Sequence, residues 1–256
     1  MIKFFRQIRF KLMETNKTGK PAFAAGRYFK YAIGEIVLVV IGILIALSIN
    51  NWNEDRINKQ KEKHYLVGFK NDVTSQIKAL ETRIVFLNNS ITMAESILSD
   101  YSKTGRLLEI DNINSKLSKM MYTLGYPEIN TTFNEITATG NLDLIKSKKL
   151  RASIINYYQF SESNTKSIES NINEVFYGKI FPVISSSVIL LAENFDFKTN
   201  TIDENLLTKQ LTPALEASIK DPTNTFNIIN SVSMRLILAK TTSVPLKEGK
   251  SLLNFF

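Results

Sequence analysis

The chain has 256 residues, 44% of them hydrophobic, and its 32 lysines and arginines outweigh 24 aspartates and glutamates to give a net charge of +8. It has no cysteine and one histidine, which excludes disulfides, cysteine nucleophiles, thiolate metal sites and zinc sites that need two histidines. Neither GxGxxG nor GxxxxGKS/T occurs, so a phosphate-binding loop has no support. We therefore expect no cofactor, no metal ion and no enzymatic activity.

The positive charge is concentrated at the start of the chain. Residues 1–30 hold eight basic residues and one acidic residue, whereas the rest of the chain is close to neutral. A basic N-terminal block beside a neutral domain removes the support for nucleic acid as a partner. The bases that we expect to fix topology and to contact membrane lipids are Lys3, Arg6, Arg9, Lys11, Arg27 and Lys30.

The first 13 residues intersperse these bases with apolar side chains, which is typical of a short helix lying on an anionic membrane surface. An unstructured basic tail that only sets topology is the alternative. Gly19 and Pro21 predict a hinge within Asn16–Gly26.

A strongly apolar stretch follows the basic block. From Ile36 to Ile49 only Ser48 is polar, and aromatic residues flank the stretch, with Tyr28 before it and Trp52 after it. Such a stretch of about 20 residues is long enough to cross a bilayer as a helix, so we predict a transmembrane helix over residues 28–50. The alternatives are a cleaved signal peptide, for which the stretch starts too late, and a buried helix of a soluble protein.

The charge asymmetry predicts the orientation of this helix. Positive residues favour the cytoplasmic side, which puts residues 1–27 in the cytoplasm and residues 51–256 in the periplasm of an inner-membrane protein.

Two sequence blocks carry a resemblance to a known family. The first reads YAIGEIVLVVIGILIAL over residues 31–47 and INNWNE over residues 49–54; the second contains FNEI at 133–136, GNL at 140–142 and Tyr157-Tyr158. The chain resembles a family of uncharacterised single-span membrane proteins of Bacteroidota, notably flavobacteria. This resemblance implies a bacterial source, a single span and a helical periplasmic domain, and it implies no reaction.

Beyond the span, apolar residues recur every three or four positions over more than four heptads, which predicts a long helix with a coiled-coil-like seam. We expect this helix to continue from the span through residues 50–63 and to end near Gly105. The seam either packs within the chain or pairs with copies of the chain as an oligomer stalk. Its residues are Leu66, Phe69, Val73, Ile77, Leu80, Ile84, Leu87, Ile91, Ala94 and Leu98.

The remaining pattern is also helical, and we predict an all-α protein with a helical bundle outside the membrane. A second long helix is expected from Leu150 to near Ile180-Phe181-Pro182, and Pro213 leaves residues 206–219 ambiguous. Breaks are expected at residues 125–127 and 221–222. Shorter helices are predicted at Ile110–Leu124, Thr131–Thr139 and Asn224–Lys240.

Five residues in and beside the span are candidates for contact with a partner. Glu35 is an ionisable residue within the predicted span, where such residues often relay protons or ions, although its position near the helix start also fits a structural role. Gly42 and Ala46 form a small-xxx-small pair, Gly34 lies on the same helix, and Trp52 fits an interfacial anchor or a docking residue.

These features favour a scaffold or accessory subunit of a cell-envelope complex that acts through helix–helix contacts. The expected partners are membrane lipids and further copies of the chain or another envelope membrane protein. Two alternatives stay open: a membrane-anchored sensor of a periplasmic ligand, and an ion-coupled motor-type subunit that uses Glu35.

Overall fold

The computed structural model of this protein describes residues 24–191 and 203–254, with side chains described from residue 31 onward. Every regular element within these ranges is helical and none is a strand, which confirms the predicted all-α class. The elements are α1 Ala24–Thr104, α2 Ile113–Lys119, α3 Thr131–Ala138, α4 Lys148–Asn171, α5 Phe181–Ser185, α6 Glu204–Lys220 and α7 Pro222–Leu253, with 3-10 turns at Leu107–Glu109 and Leu142–Leu144 and a π-helix at Ile172–Ile180.

The chain divides into two compact units, Met1–Gln60 and Lys61–Phe256. The described part of the first unit is the beginning of α1, whose backbone is helical from Ala24 and therefore also at the end of the predicted hinge. Lys3, Arg6, Arg9 and Lys11, together with the predicted surface helix, lie outside the described residues. Arg27 and Lys30 lie on the helical backbone, and their side chains are not among those described.

The long first helix ends where the sequence predicts. Residues 50–63 are helical throughout, and α1 stops at Thr104. Gly105 follows with a φ of +64°, and its N–H donates a 2.8 Å hydrogen bond to the carbonyl of Tyr101. A glycine closes the helix because this left-handed conformation carries no steric cost without a Cβ.

The second unit is built around two groups of buried side chains. The first core joins residues of α1 to α3, α4 and α7, with Leu80 and Leu87 of α1 almost inaccessible. The seam contacts other helices here: Phe69, Leu80 and Leu87 are buried in the first core, Ala94 in the second, and Leu66 is half-buried. The half-buried seam residues packed against the first core are Val73, Ile77, Ile84 and Ile91.

The second core lies around the π-helix. Phe176 and Ile180 of this segment are fully buried against Ile228 and Val232 of α7 and Leu117 of α2. A π-helix is rare because its wider turn weakens backbone packing, and short π segments occur frequently at functional sites.

The predicted ends of the second long helix and of α7 differ from the structure, and the segment that Pro213 left ambiguous is helical. The second long helix continues through the π-helix into α5 and ends at Ser185, a few residues beyond the predicted end, with Pro182 in the first turn of α5. α7 runs past Lys240 to Leu253 with Pro245 inside it, and residues 206–219 form a helix despite Pro213.

Helix α7 lies antiparallel to the later part of α1. Lys240 pairs with Glu95 at 2.7 Å and Lys250 pairs with Glu81 at 2.8 Å. Buried Leu246, which lies between the two lysines, packs in the first core with Leu87. This packing stabilises the end of α7, which a proline alone would be expected to interrupt.

Candidate functional site: a polar cleft beside a clamped strap

The apolar stretch of α1 in the first unit is fully exposed. Every residue from Tyr31 to Trp52 is exposed, including Ile36 at 62% and Leu44 at 57%. Among the described residues, α1 is the one helix long and apolar enough to cross a membrane. The predicted contact residues Gly34, Glu35, Gly42, Ala46 and Trp52 all lie on this exposed surface.

In the second unit a non-helical segment, residues 122–130, lies against the helices; we call it the strap. Its backbone is held by long side chains rather than by a strand partner. The amide of Gln76 donates to the carbonyl of Pro127 and accepts a 2.9 Å hydrogen bond from the N–H of Ile129. Gln76 is 1% exposed, so these two bonds satisfy both ends of a buried amide.

Two arginine side chains also bond carbonyl groups in the first part of the strap. Arg83 Nε donates to the carbonyl of Gly125 at 3.2 Å, and Arg235 Nη2 donates to the carbonyl of Tyr122 at 2.7 Å. At the other end, the N–H of Thr132 donates to Asp72 Oδ2 at 2.8 Å. Asp72 thereby binds a free N–H at the start of α3, a position where an acid also complements the helix dipole.

Arg235 is a buried cation, with 1% of its surface exposed. Its guanidinium lies 5.2 Å from the ring centre of Phe176 and 3.5 Å from Ser90 Oγ. Among the described residues no carboxylate forms an ion pair with Arg235, and its Nε has no hydrogen-bond partner. Burial lowers the pKa of Arg235 to about 10, because water no longer solvates the charged form.

Three tyrosines are buried at the strap, with Tyr126 within it and Tyr157 and Tyr158 on α4. Burial raises the pKa of Tyr126, an effect that interactions with the side chains of Tyr157 and Ser161 partly offset. Burial also raises the pKa of Tyr157 and Tyr158, with smaller contributions from Tyr126 and Asp72 respectively. These phenols therefore stay protonated at neutral pH.

An open cleft of about 470 Å³ lies between the strap with α3 on one side and α4 on the other. The rings of Phe133 and Tyr158 stack within its wall, with centroids 4.3 Å apart. The α4 wall presents residues at helical spacing, so one face of that helix supplies it. The lining residues are Glu128, Asn130, Phe133, Asn134, Tyr158, Glu162, Thr165, Lys166 and Glu169.

The charged side chains of the cleft are three carboxylates and one ammonium. Lys166 Nζ bonds Glu162 Oε1 at 2.6 Å, which lowers the pKa of that carboxyl and raises the pKa of the ammonium. Glu128 and Glu169 also line the cleft, and neither forms an ion pair with another described residue. The described residues contain no group of three or more histidine or acidic side chains that could hold a metal ion.

The cleft residues were not predicted as a site from the sequence. Phe133, Asn134 and Tyr158 do belong to the second block that carries the family resemblance, and that block was the available signal. Gln76, Arg83 and Arg235 gave no local signal, because each bonds a backbone group more than 40 residues away.

Over residues 24–191 and 203–254 the protein is all-helical, and α1 is long and apolar enough to cross a membrane. The chain belongs to a family of unknown function, DUF6090, whose model matches residues 35–206. This confirms membership of an uncharacterised family, whereas the bacterial source and the single-span signature stay expectations. The search of curated proteins and the search of solved structures each give no match.

Proposed function

We propose that this chain is a bitopic inner-membrane protein whose domain over residues 51–256 lies in the periplasm and acts as a scaffold or accessory subunit of a cell-envelope complex. The observation that carries this proposal is the exposed apolar surface of α1 between Tyr31 and Ile49. An apolar surface of this length is unfavourable in water and is covered by lipid or by a partner helix. The basic block before it supports a cytoplasmic N-terminus.

Contact through the span is supported by the placement of three residues. Glu35, Gly42 and Ala46 fall on one face of α1, because residues seven and eleven apart return to nearly the same angle of a helix. A Cβ added to Gly42 meets nothing within 4 Å, so this position is open to close approach by another helix.

The test is purification of the full chain in mild detergent, followed by native mass measurement of the complex. We expect copies of the chain, or a second membrane protein, to stay bound to the wild type. Gly42→Leu, which blocks the small face, is expected to weaken this association, whereas Ile43→Leu on another face leaves it intact. A monodisperse monomer from wild-type membranes would contradict the proposal.

A second candidate function is ligand sensing, which the cleft beside the strap favours. In this proposal the sensor passes its signal through α1 to a separate signalling partner.

The ion-coupled alternative depends on Glu35 alone. Replacing Glu35 by Gln removes the ionisable group and keeps its size, and Glu35→Ala removes both. If both variants retain growth and complex formation, an ion-relay role for Glu35 is excluded.

A further inference from the structure

We propose that a group of lysines at the start of the second unit binds the anionic lipid headgroups of the membrane that α1 enters. This group, the lysine surface, consists of Lys61 and Lys63 on α1 and of Lys146, Lys148 and Lys149 at and just before the start of α4. The inference rests on the proposed function in one respect, the insertion of α1 in a bilayer.

Two contacts bring the segments of the lysine surface together. The N–H of Lys146 donates a 2.7 Å hydrogen bond to Oε1 of Glu62, the residue between the two α1 lysines. Further along, the ring of Tyr158 on α4 lies 6.3 Å from the ring of Phe69 on α1. Helices α1 and α4 therefore run in the same direction from this end of the unit, and the start of α4 lies beside the first turns of α1 in the second unit.

The positive charge of the second unit is concentrated at this end. Residues 61–63 and 143–151 hold six basic and two acidic residues, whereas the other residues of the unit hold sixteen basic and eighteen acidic ones. Of the six bases, Arg151 pairs with Asp143. The five lysines are all exposed, and none of them forms an ion pair with another described residue. Five exposed ammonium groups of this kind attract an anionic surface.

The chain itself keeps the lysine surface near the bilayer. Residues 50–61 are helical. At about 1.5 Å per residue, Lys61 therefore lies at most about 18 Å from Ile49, the end of the apolar stretch. The headgroup layer takes up about 6 Å of this distance, and a lysine side chain extends over part of the rest. The remaining gap is comparable to the screening length of about 8 Å at physiological salt, so headgroup charge acts on these lysines.

The residue type favours a layer of headgroups over a single bound anion. A lysine ammonium is a compact charge on a flexible stem, whereas arginine offers the planar fork that fixes one phosphate or carboxylate in place. The attraction of several lysines to an anionic bilayer adds up without a fixed geometry, and clusters of four or more bases beside a membrane helix bind anionic lipid in this way. All five residues of the surface are lysines.

The test compares the full chain in nanodiscs of phosphatidylcholine with the full chain in nanodiscs that also contain phosphatidylglycerol. An uncharged acetylating ester modifies the lysines, and mass spectrometry of peptides gives the rate at each one. In the anionic discs we expect Lys146, Lys148 and Lys149 to react at least about threefold more slowly, and we expect this protection to disappear at high salt. Lys209 is the internal control, because it is exposed on α6, which packs against the 3-10 turn beyond the end of α1. Its rate should be the same in both discs.

A triple variant distinguishes binding from nearness to the membrane. Lys146→Gln, Lys148→Gln and Lys149→Gln are combined, and the acetylation of Lys61 and Lys63 is measured. We expect these two lysines to lose at least about half of their protection in anionic discs, because three of the five charges that hold the headgroups are gone.

The matched control removes the same charge from three other exposed positions. It combines Lys103→Gln, Lys209→Gln and Lys220→Gln, and Lys61 and Lys63 should be protected in it as in the wild type. Equal rates in the two kinds of disc, or full protection of Lys61 and Lys63 in the first triple variant, overturn the inference. Protection that requires a co-purified protein and not anionic lipid also overturns it, since the lysine surface would then bind an acidic protein.

These outcomes are distinguishable from failure of the proposed function. A chain that inserts in nanodiscs and retains its partner, but reacts equally in both lipids, contradicts the lysine surface alone. A chain with its large domain on the cytoplasmic side contradicts the proposed location and leaves the lysine surface standing. A chain recovered in the soluble fraction contradicts both.

Discussion

The ring of Phe133 lies nearly parallel to the ring of Tyr158, with centroids 4.3 Å apart and planes 10° apart. Phe133 is in the first turn of α3, directly after the strap, and Tyr158 is a buried residue of α4. This stacked pair therefore joins the two walls of the cleft, and the stability of the cleft depends on it.

Phe133→Leu should destabilise the protein by about 1–2 kcal/mol, because it removes the aromatic pair and part of the buried area. The measurement is the free energy of unfolding of the full chain in detergent, followed by circular dichroism. Phe226→Leu is the matched control, since Phe226 is 68% exposed and its replacement should change stability by less than about 0.5 kcal/mol. Equal effects of the two substitutions would show that the stack contributes nothing.

Gln76→Ala should lower the free energy of unfolding by about 2–4 kcal/mol, because the carbonyl of Pro127 and the N–H of Ile129 both lose their partner in a buried site. Ser75→Ala, at the exposed neighbouring residue, is the control and should leave the free energy of unfolding nearly unchanged. Hydrogen exchange provides a second readout, in which the N–H of Ile129 should exchange faster in Gln76→Ala than in the wild type. An unchanged exchange rate at Ile129 would contradict the clamp.

Stability should fall as the pH rises above about 10. A free tyrosine has a pKa near 10, and burial raises the pKa of Tyr157 and Tyr158 in the folded protein. Above pH 10 the unfolded chain therefore binds fewer protons than the folded one, and the free energy of unfolding decreases. Arg235 acts in the opposite direction, because its pKa is lowered to about 10 on folding.

Comparison of variants isolates the tyrosine contribution. Tyr157→Phe should reduce the loss of stability by up to about 1.4 kcal/mol per pH unit above pH 10, and the contribution of Arg235 cancels in the comparison. Tyr177→Phe, at a residue that is 52% exposed, is the control and should follow the wild type. A Tyr157→Phe profile parallel to that of the wild type would contradict the burial of this phenol.

Gly68→Ala should destabilise the protein, although alanine is the better helix former. A Cβ at this position would lie 2.7 Å from Thr132 Oγ1 and 2.9 Å from Thr132 Cγ2, so α1 and α3 would be forced apart at a cost of about 1–2 kcal/mol. In a Thr132→Ala background these two atoms are absent, and Gly68→Ala should become neutral or stabilising. Additive effects of the two substitutions would contradict this close approach.

The sequence predicted the features that have a local cause. Gly105 ends α1 because it adopts a positive φ, and Asp221 with Pro222 separates α6 from α7, where Asp221 caps the N–H of Asn224 at 2.8 Å. The period of apolar residues identified Leu80 and Leu87, which are buried in the first core.

Features that depend on distant contacts were not predicted. The predicted helix over Asn224–Lys240 is too short, because burial of Leu246 and Leu253 against other helices stabilises the last turns of α7. The π-helix at Ile172–Ile180 has no marker in its composition. Gln76 clamps the strap across about 50 residues, and neither spacing nor residue type indicates this pairing in advance.

The absence of cysteine allows the most direct test of the central claim, which is that the chain crosses the inner membrane once with residues 51–256 outside. Lys11→Cys and Ser99→Cys each introduce a single thiol, one before and one after the apolar stretch. With a membrane-impermeant maleimide applied to spheroplasts, Ser99→Cys should be labelled at once and Lys11→Cys only after lysis. Labelling of Lys11→Cys in intact spheroplasts, protection of Ser99→Cys, or recovery of the chain in the soluble fraction would contradict it.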